Sequence, residues 1–214
     1  HEEPLADAAI ITIGRQAGEG MDRNINGEFN LTKDEQDMIF RVSDAFHAKN
    51  KKVIVIINSG SVMETASWRD RVDAILVAWQ PGIEGGNSVA DILTGKVNPS
   101  GRLTMTWPIA ATDHPSTANF PQDYDMYTYK NMEGSGHVKN VDYTNHEEDI
   151  YVGYRYFDTF NKRVAYPFGF GLSYTTFELT KPVVKLNGNT INVSINVKNT
   201  GDVAGKQVAQ VYVK

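Results

Sequence analysis

Three continuous apolar runs constrain this chain more than any other feature: Ala8-Ala9-Ile10-Ile11-Thr12-Ile13, Val53-Ile54-Val55-Ile56-Ile57 and Ala74-Ile75-Leu76-Val77-Ala78. Runs without polar alternation read as strands buried on both faces. A helix pattern separates the first two. Thr32-Lys33-Asp34-Glu35 has the form of a capping box, in which the Thr32 hydroxyl takes an orphan backbone N–H and Glu35 reaches back. Met38, Ile39, Val42, Ala45 and Phe46 then fall on one stripe that can pack on a sheet. After the third run, Gly85-Gly86 precedes a short helix carrying Val89, Ile92 and Leu93, and Gly95 is placed to stop it. Asn98-Pro99-Ser100-Gly101 predicts a turn, and alternating Leu103, Met105 and Trp107 predict a further strand. Strands separated by helices imply right-handed crossovers and a mainly parallel sheet, so the expected class is α/β.

The pattern changes twice along the chain. From about residue 109 to 166 it dissolves into a stretch rich in Tyr, Asn, Asp, Gly and His. Irregular segments this long are usually functional or disordered, and the tyrosines argue against disorder because they need surfaces to pack on. In the tail, Ile191, Val193, Ile195 and Val197 alternate with polar residues, the mark of a half-buried antiparallel strand. Asn187-Gly188 suits a type I′ hairpin turn, and Asn199-Thr200-Gly201-Asp202 marks another turn before a strand-like run from Val208 to Val213. This resembles the opening of an immunoglobulin-like sandwich, but too few residues follow Phe177 for the roughly seven strands such a fold needs. The expectation is one piece of a larger protein, completed by another polypeptide or by further residues.

Composition narrows the function classes. A net charge of −5 with dispersed Lys and Arg argues against a nucleic-acid surface. No apolar stretch approaches the roughly 20 residues that span a bilayer. The absence of cysteine excludes disulfides and thiolate chemistry. His114, His137 and His146 lack metal-ligand spacing and read as surface residues, so no metal is expected.

The candidate for chemistry is Glu19. It stands between Gly18 and Gly20, just beyond the first apolar run, and ligand crevices in open α/β sheets lie outside the carboxyl ends of the strands. The bland alternative is a carboxylate on a solvated turn. A phosphate-binding loop is disfavoured, because the segment lacks a Lys-Ser/Thr ending and the acidic partner of a dinucleotide site.

Several blocks occur in a definite order: Gly18-Glu19-Gly20-Met21-Asp22-Arg23; Trp79-Gln80-Pro81-Gly82-Ile83-Glu84-Gly85-Gly86, continuing to Asn98-Pro99-Ser100-Gly101-Arg102-Leu103; Tyr151-Val152-Gly153-Tyr154-Arg155-Tyr156-Phe157-Asp158; and Pro167-Phe168-Gly169-Phe170-Gly171-Leu172-Ser173-Tyr174-Thr175. With the tail Val197–Gly205, this set resembles glycoside hydrolase family 3, in the part after its catalytic barrel.

The resemblance implies the second half of a mainly parallel α/β sandwich over residues 1–108, with an acid/base loop at 14–30. It further implies an irregular connection and interdomain strut over 109–176, and the truncated start of a fibronectin type III-like sandwich over 177–214. Tyr154, Arg155 and Tyr156 read as part of that strut in preference to a sugar subsite, and Phe168, Phe170 and Tyr174 as interface packing. The implied activity is hydrolysis of terminal non-reducing β-D-glycosidic bonds with retention, β-glucosidase first. Glu19 would be the acid/base, with Asp22 and Arg23 supporting its loop and Asp22 engaging one arginine.

The nucleophile would be an aspartate on a separate (β/α) barrel, since the expected Ser-Asp-Trp is absent here. No cofactor is required, and substrate-binding residues are not identifiable from this segment. The implied partners are a β-linked oligosaccharide or glucoside and the chain or segment bearing the barrel, with a periplasmic or extracellular location. The reading from another class is a non-catalytic carbohydrate-binding or interaction module.

Overall fold

β-branched residues dominate the first two runs, and both pair in parallel. In the computed structural model, which describes residues 6–16, 23–118 and 146–213, β1 (Ala8–Gly14), β2 (Lys52–Asn58) and β3 (Ala74–Val77) form a parallel sheet in that order. The register sets Ile11 against Val55 and Ile13 against Ile57, with Ile56 against Leu76. The crossover from β1 to β2 carries α1 (Lys33–His47), which packs against both strands.

The capping box forms as expected. Glu35 N–H donates to Thr32 Oγ1 at 3.2 Å, and Thr32 N–H donates to the Glu35 carboxylate at 2.8 Å. The buried line of α1 is centred on Ile39 and Ser43, while Met38 and Ala45 of the expected stripe are exposed.

Burial on both faces holds for β2 at Val55, Ile56 and Ile57 but not for β1, nor for β3, where Ala74 is exposed and Ile75, Leu76 and Val77 are only partly buried. Ile11 and Ile13 are buried on one face, whereas Ala8, Ile10 and Thr12 on the other are exposed, Ile10 by 56%. The period of two decides this. One face of β1 shares a layer with Val53, Val55 and Ile57, and no described residue buries Ile10 on the other.

The residues pack into two compact units, one within 1–85 and 105–167, the other within 86–104 and 168–214. This grouping differs from the chain-order spans 1–108, 109–176 and 177–214. The first unit adds to the sheet a short helix α2 (Tyr154–Thr159), whose Phe157 is buried and meets the His114 ring edge-on with centroids 5.1 Å apart. His114 is therefore half-buried and not a surface residue, and burial lowers its pKa.

The second unit takes in the helix Gly85–Leu93 from Gly86 onward, and it ends where Gly95 adopts a φ of 75°. Asn98 ties this unit together. Its amide donates to Ala204 O at 3.0 Å, and its carbonyl accepts from Ser173 Oγ at 2.9 Å and Tyr174 N–H at 2.8 Å. Those bonds occupy the expected turn at 98–101, which is irregular chain.

The strand expected through Leu103, Met105 and Trp107 does not form. Leu103 exchanges backbone hydrogen bonds with Phe170 and Gly169, Trp107 bridges Tyr166, and a bend at Thr104-Met105 separates them. β4 (Phe177–Asn187) and β5 (Thr190–Asn199) make an antiparallel hairpin with a register shift between Thr180 and Val183. Its two-residue connection is Gly188-Asn189, one position later than expected. Gly188 has a φ of 58° and Asn189 is not among the left-handed residues, so the turn meets the II′ requirement and not I′. Val208–Val213 forms no strand, because no described strand lies beside it to complete a ladder.

Gly171 marks a close approach within the second unit: a Cβ there would collide with the Gly101 carbonyl oxygen. Gly171→Ala in the full-length protein is expected to cost about 1–3 kcal/mol, the usual cost of overpacking. An unchanged Tm would contradict this packing.

Candidate functional site

The carboxyl ends of the three strands define one edge. The parallel ladder continues past them, with Arg15 N–H donating to Asn58 O and Ala78 N–H to Ile57 O, each at 2.9 Å. Three connections start here, at Arg15, Ser59 and Trp79. Sequence reasoning centred on the first. Glu19 and Asp22 lie outside the described residues, whereas Arg15 and Arg23, on either side of them, are described.

Arg15 is the most densely bonded side chain of this edge. Its Nη1 donates to Gly14 O at 2.8 Å and to Glu35 Oε1 at 2.7 Å, its Nη2 to Glu35 Oε2 at 2.6 Å, and its Nε to Glu28 O at 3.1 Å. The side chains of Arg15 and Glu35 are only 7% and 24% exposed, which separates this fork-to-fork pair from surface ion pairs. Glu35 thereby has two functions. It caps α1, and it holds the arginine that closes the base of the segment returning at Glu28. Burial alone raises the Glu35 carboxyl pKa, but hydrogen bonds from Arg15 and from Thr32 outweigh burial and hold it below its usual value.

The returning stem is fastened again further on. Arg23 Nη2 donates to Val62 O at 2.6 Å, and Asn24 N–H donates to the Glu28 carboxylate. Nη1 of Arg23 is buried without a hydrogen-bond partner among the described residues. Burial lowers the Arg23 pKa, with Glu28 opposing that shift. Glu64 N–H donates to Phe29 O at 2.8 Å, so the connections after β1 and β2 are joined at two points.

The third connection opens on a residue that sequence reasoning did not single out for geometry. Trp79 adopts a φ of 55°, and its ring lies 5.9 Å from that of Trp107 at a 40° tilt. Trp107 is buried, donates its indole N–H to Met63 O and meets Tyr166 edge-on at 6.3 Å. Arg69 covers the Tyr166 ring at 5.2 Å and donates to Ala165 O at 2.5 Å. Nothing in the local pattern around Trp79 signals a left-handed tryptophan. The Arg15–Glu35 pair was equally hidden, because its partners are 20 residues apart.

Among the described residues no group of His, Cys, Asp and Glu has the arrangement of a metal site, and no helix is long and apolar enough to cross a membrane. Tyr156 of the expected strut lines an open cleft with Pro115, Glu147, Glu148, Tyr151 and Phe160. Phe168 packs edge-on against Tyr212, and the Tyr174 hydroxyl donates to Ile92 O at 2.8 Å, both within the second unit.

The pattern of the Glycosyl hydrolase family 3 C-terminal domain matches residues 2–174. The fold is similar to β-glucosidase 3B from Thermotoga neapolitana, solved in complex with glucose, with a TM-score of 0.82 and 48% identity over 93% of this chain and 26% of that one. Beta-glucosidase A of Butyrivibrio fibrisolvens is 38% identical over 97% of this chain and 28% of its own length. An exo-α-(1→6)-L-arabinopyranosidase of Bifidobacterium longum is 36% identical over 97% of this chain and 25% of its own length. The chain thus spans about a quarter of the length of these relatives.

The depressed Glu35 pKa has a pH consequence. Its ionised form is favoured by folding, so its contribution is full above the ordinary glutamate pKa of about 4.3 and is lost as pH falls through the lower folded value. The Tm advantage of the native protein over Glu35→Gln should shrink below about pH 4. A difference that stays constant into stronger acid contradicts the ion pair.

Proposed function

Because this chain belongs to glycoside hydrolase family 3, we propose that it is the part of a retaining β-glycosidase that lends a proton donor to a sugar pocket built mainly on a separate (β/α) barrel. Glu19 is that donor. It protonates the glycosidic oxygen while a barrel carboxylate attacks the anomeric carbon, then activates the water that releases the sugar. No metal or organic cofactor enters these steps. The observation that carries the reading is the setting of Glu19: a Gly-Glu-Gly segment whose flanking residues, Arg15 and Arg23, are fastened at the carboxyl edge of a parallel sheet.

A general acid must hold its proton near working pH. The charge of Arg15 is met by Glu35, which reduces the cationic field that would otherwise depress a neighbouring carboxyl. The barrel nucleophile's negative charge supplies the upward shift.

The substrate of this reading is a β-linked glucoside or oligosaccharide cut at its non-reducing end, in line with the β-glucosidases among the relatives. An arabinopyranosidase matches nearly as well over the same span, which fits a division of labour in which barrel residues choose the sugar. The proposed chain order is an α/β sandwich over 1–108, a connection over 109–176 and a fibronectin type III-like sandwich from 177. The hairpin supports the last part. Leu179 faces Val197, Val184 faces Val193 and Leu186 faces Ile191, and all six side chains are exposed. A two-stranded ribbon with such a face needs further strands to be stable. Export to the periplasm or the cell exterior belongs to the same proposal.

Glu19→Ala in the full-length protein is the test. Hydrolysis of an alkyl β-glucoside should fall by about 10²–10⁴-fold, the range for loss of a general acid, while the first step on a dinitrophenyl β-glucoside persists. Loss of equal size on both substrates, or none on the alkyl glucoside, overturns the assignment.

A further inference from the structure

We propose that Arg15 and Glu35 are positioning residues for proton transfer, forming a clip that sets where the Glu19 segment leaves and re-enters the sheet edge; this rests on Glu19 being the acid/base. The geometry is specific to an arginine. One guanidinium donates to the outgoing stem at Gly14 O, to the returning stem at Glu28 O, and with two parallel bonds to Glu35 at the start of α1. A planar fork can serve these directions at once, whereas the point charge of lysine cannot.

Glu35 is fixed in turn by the rigid first turn of α1 through Thr32. The clip thereby refers both stems to the helix that packs on β1 and β2. Arg23, on Val62 O, fastens the returning stem on the side of the β2 connection. Proton donation is sensitive to small displacements: a shift of about 1 Å can cost 10²-fold in rate. Loosening the clip should therefore act on the step that needs the proton, and less on sugar binding.

The test uses the full-length protein and the variants Glu35→Gln, Arg15→Lys and the double variant. Glutamine keeps a capping box possible, so Glu35→Gln removes the charge pairing while retaining the helix start. With an alkyl β-glucoside, kcat is expected to fall about tenfold or more with KM changed less than about twofold, as for an interaction made only in the transition state. The first-step burst with a dinitrophenyl β-glucoside should change less than about twofold in the same variants, because that leaving group needs no proton.

The double variant should lose no more than the worse single, since the two residues act as one unit. If either single variant fails to fold, the other carries the substrate comparison. Equal losses on both glycosides, or losses that multiply in the double variant, assign the pair a purely structural role and overturn the proposal. Glu19→Ala run beside them separates the two claims. A leaving-group split in Glu19→Ala without one in the clip variants sinks the clip alone; no split in Glu19→Ala sinks both.

Discussion

The Arg15–Glu35 ion pair is the interaction on which the organisation of this molecule's sheet edge depends. It joins the end of β1, the backbone at Glu28 and the first turn of α1 in one nearly buried contact. Among the described residues, the other bonds that fasten the connection after β1 are Arg15 N–H to Asn58 O, Arg23 to Val62 O and Glu64 N–H to Phe29 O. A charge removed from water this far is costly to leave unpaired, so the pair constrains both residues strongly. The same contact explains how a carboxylate can serve as a helix cap and a long-range anchor: both oxygens accept from Arg15, and Oε2 also accepts from Thr32 at the start of α1.

Around that contact the fold separates labour. A small parallel sheet and α1 form a rigid platform, with Ile39, Val53, Val55 and Ile57 wholly buried. The platform's edge carries three connections, two of them joined to each other and the third opening at the strained Trp79. The second unit has a different character. It is held by side-chain hubs such as Asn98 and carries an exposed hairpin, and among its described residues no large apolar side chain is buried.

Local features were legible in the residues because their physics is local. The Thr32-to-Glu35 cap, the positions of the three strand runs and of β5, and the glycine that ends the helix after Gly85 all depend on neighbours within a few positions, whereas the half-burial expected of β5 is not seen, Ile191, Val193 and Val197 being exposed. Features that depend on distant partners were not. The exposure of Ile10 reflects what covers a sheet face, which no run of apolar residues encodes. The apparent strand at Leu103–Trp107 fails because its two ends pair with different segments, at Phe170 and Tyr166. The hairpin turn moved by one residue because Gly188 alone supplies the positive φ. For the candidate site, glycines around Glu19 and a family resemblance pointed to that residue, while nothing near Arg15 pointed to its partner. The structure pairs that arginine with Glu35, 20 positions away, a contact that single-sequence reasoning cannot reach.

The central claim is that the segment fastened by Arg15 and Arg23 brings Glu19 to a sugar held by another domain. A crystal structure of the full-length protein with a sugar in its pocket tests this most directly. The account predicts the Glu19 carboxyl beside the anomeric oxygen and about 5–5.5 Å from a barrel carboxylate, the separation of a retaining pair. A Glu19 side chain turned away from the sugar, with some other carboxyl in that position, would contradict it.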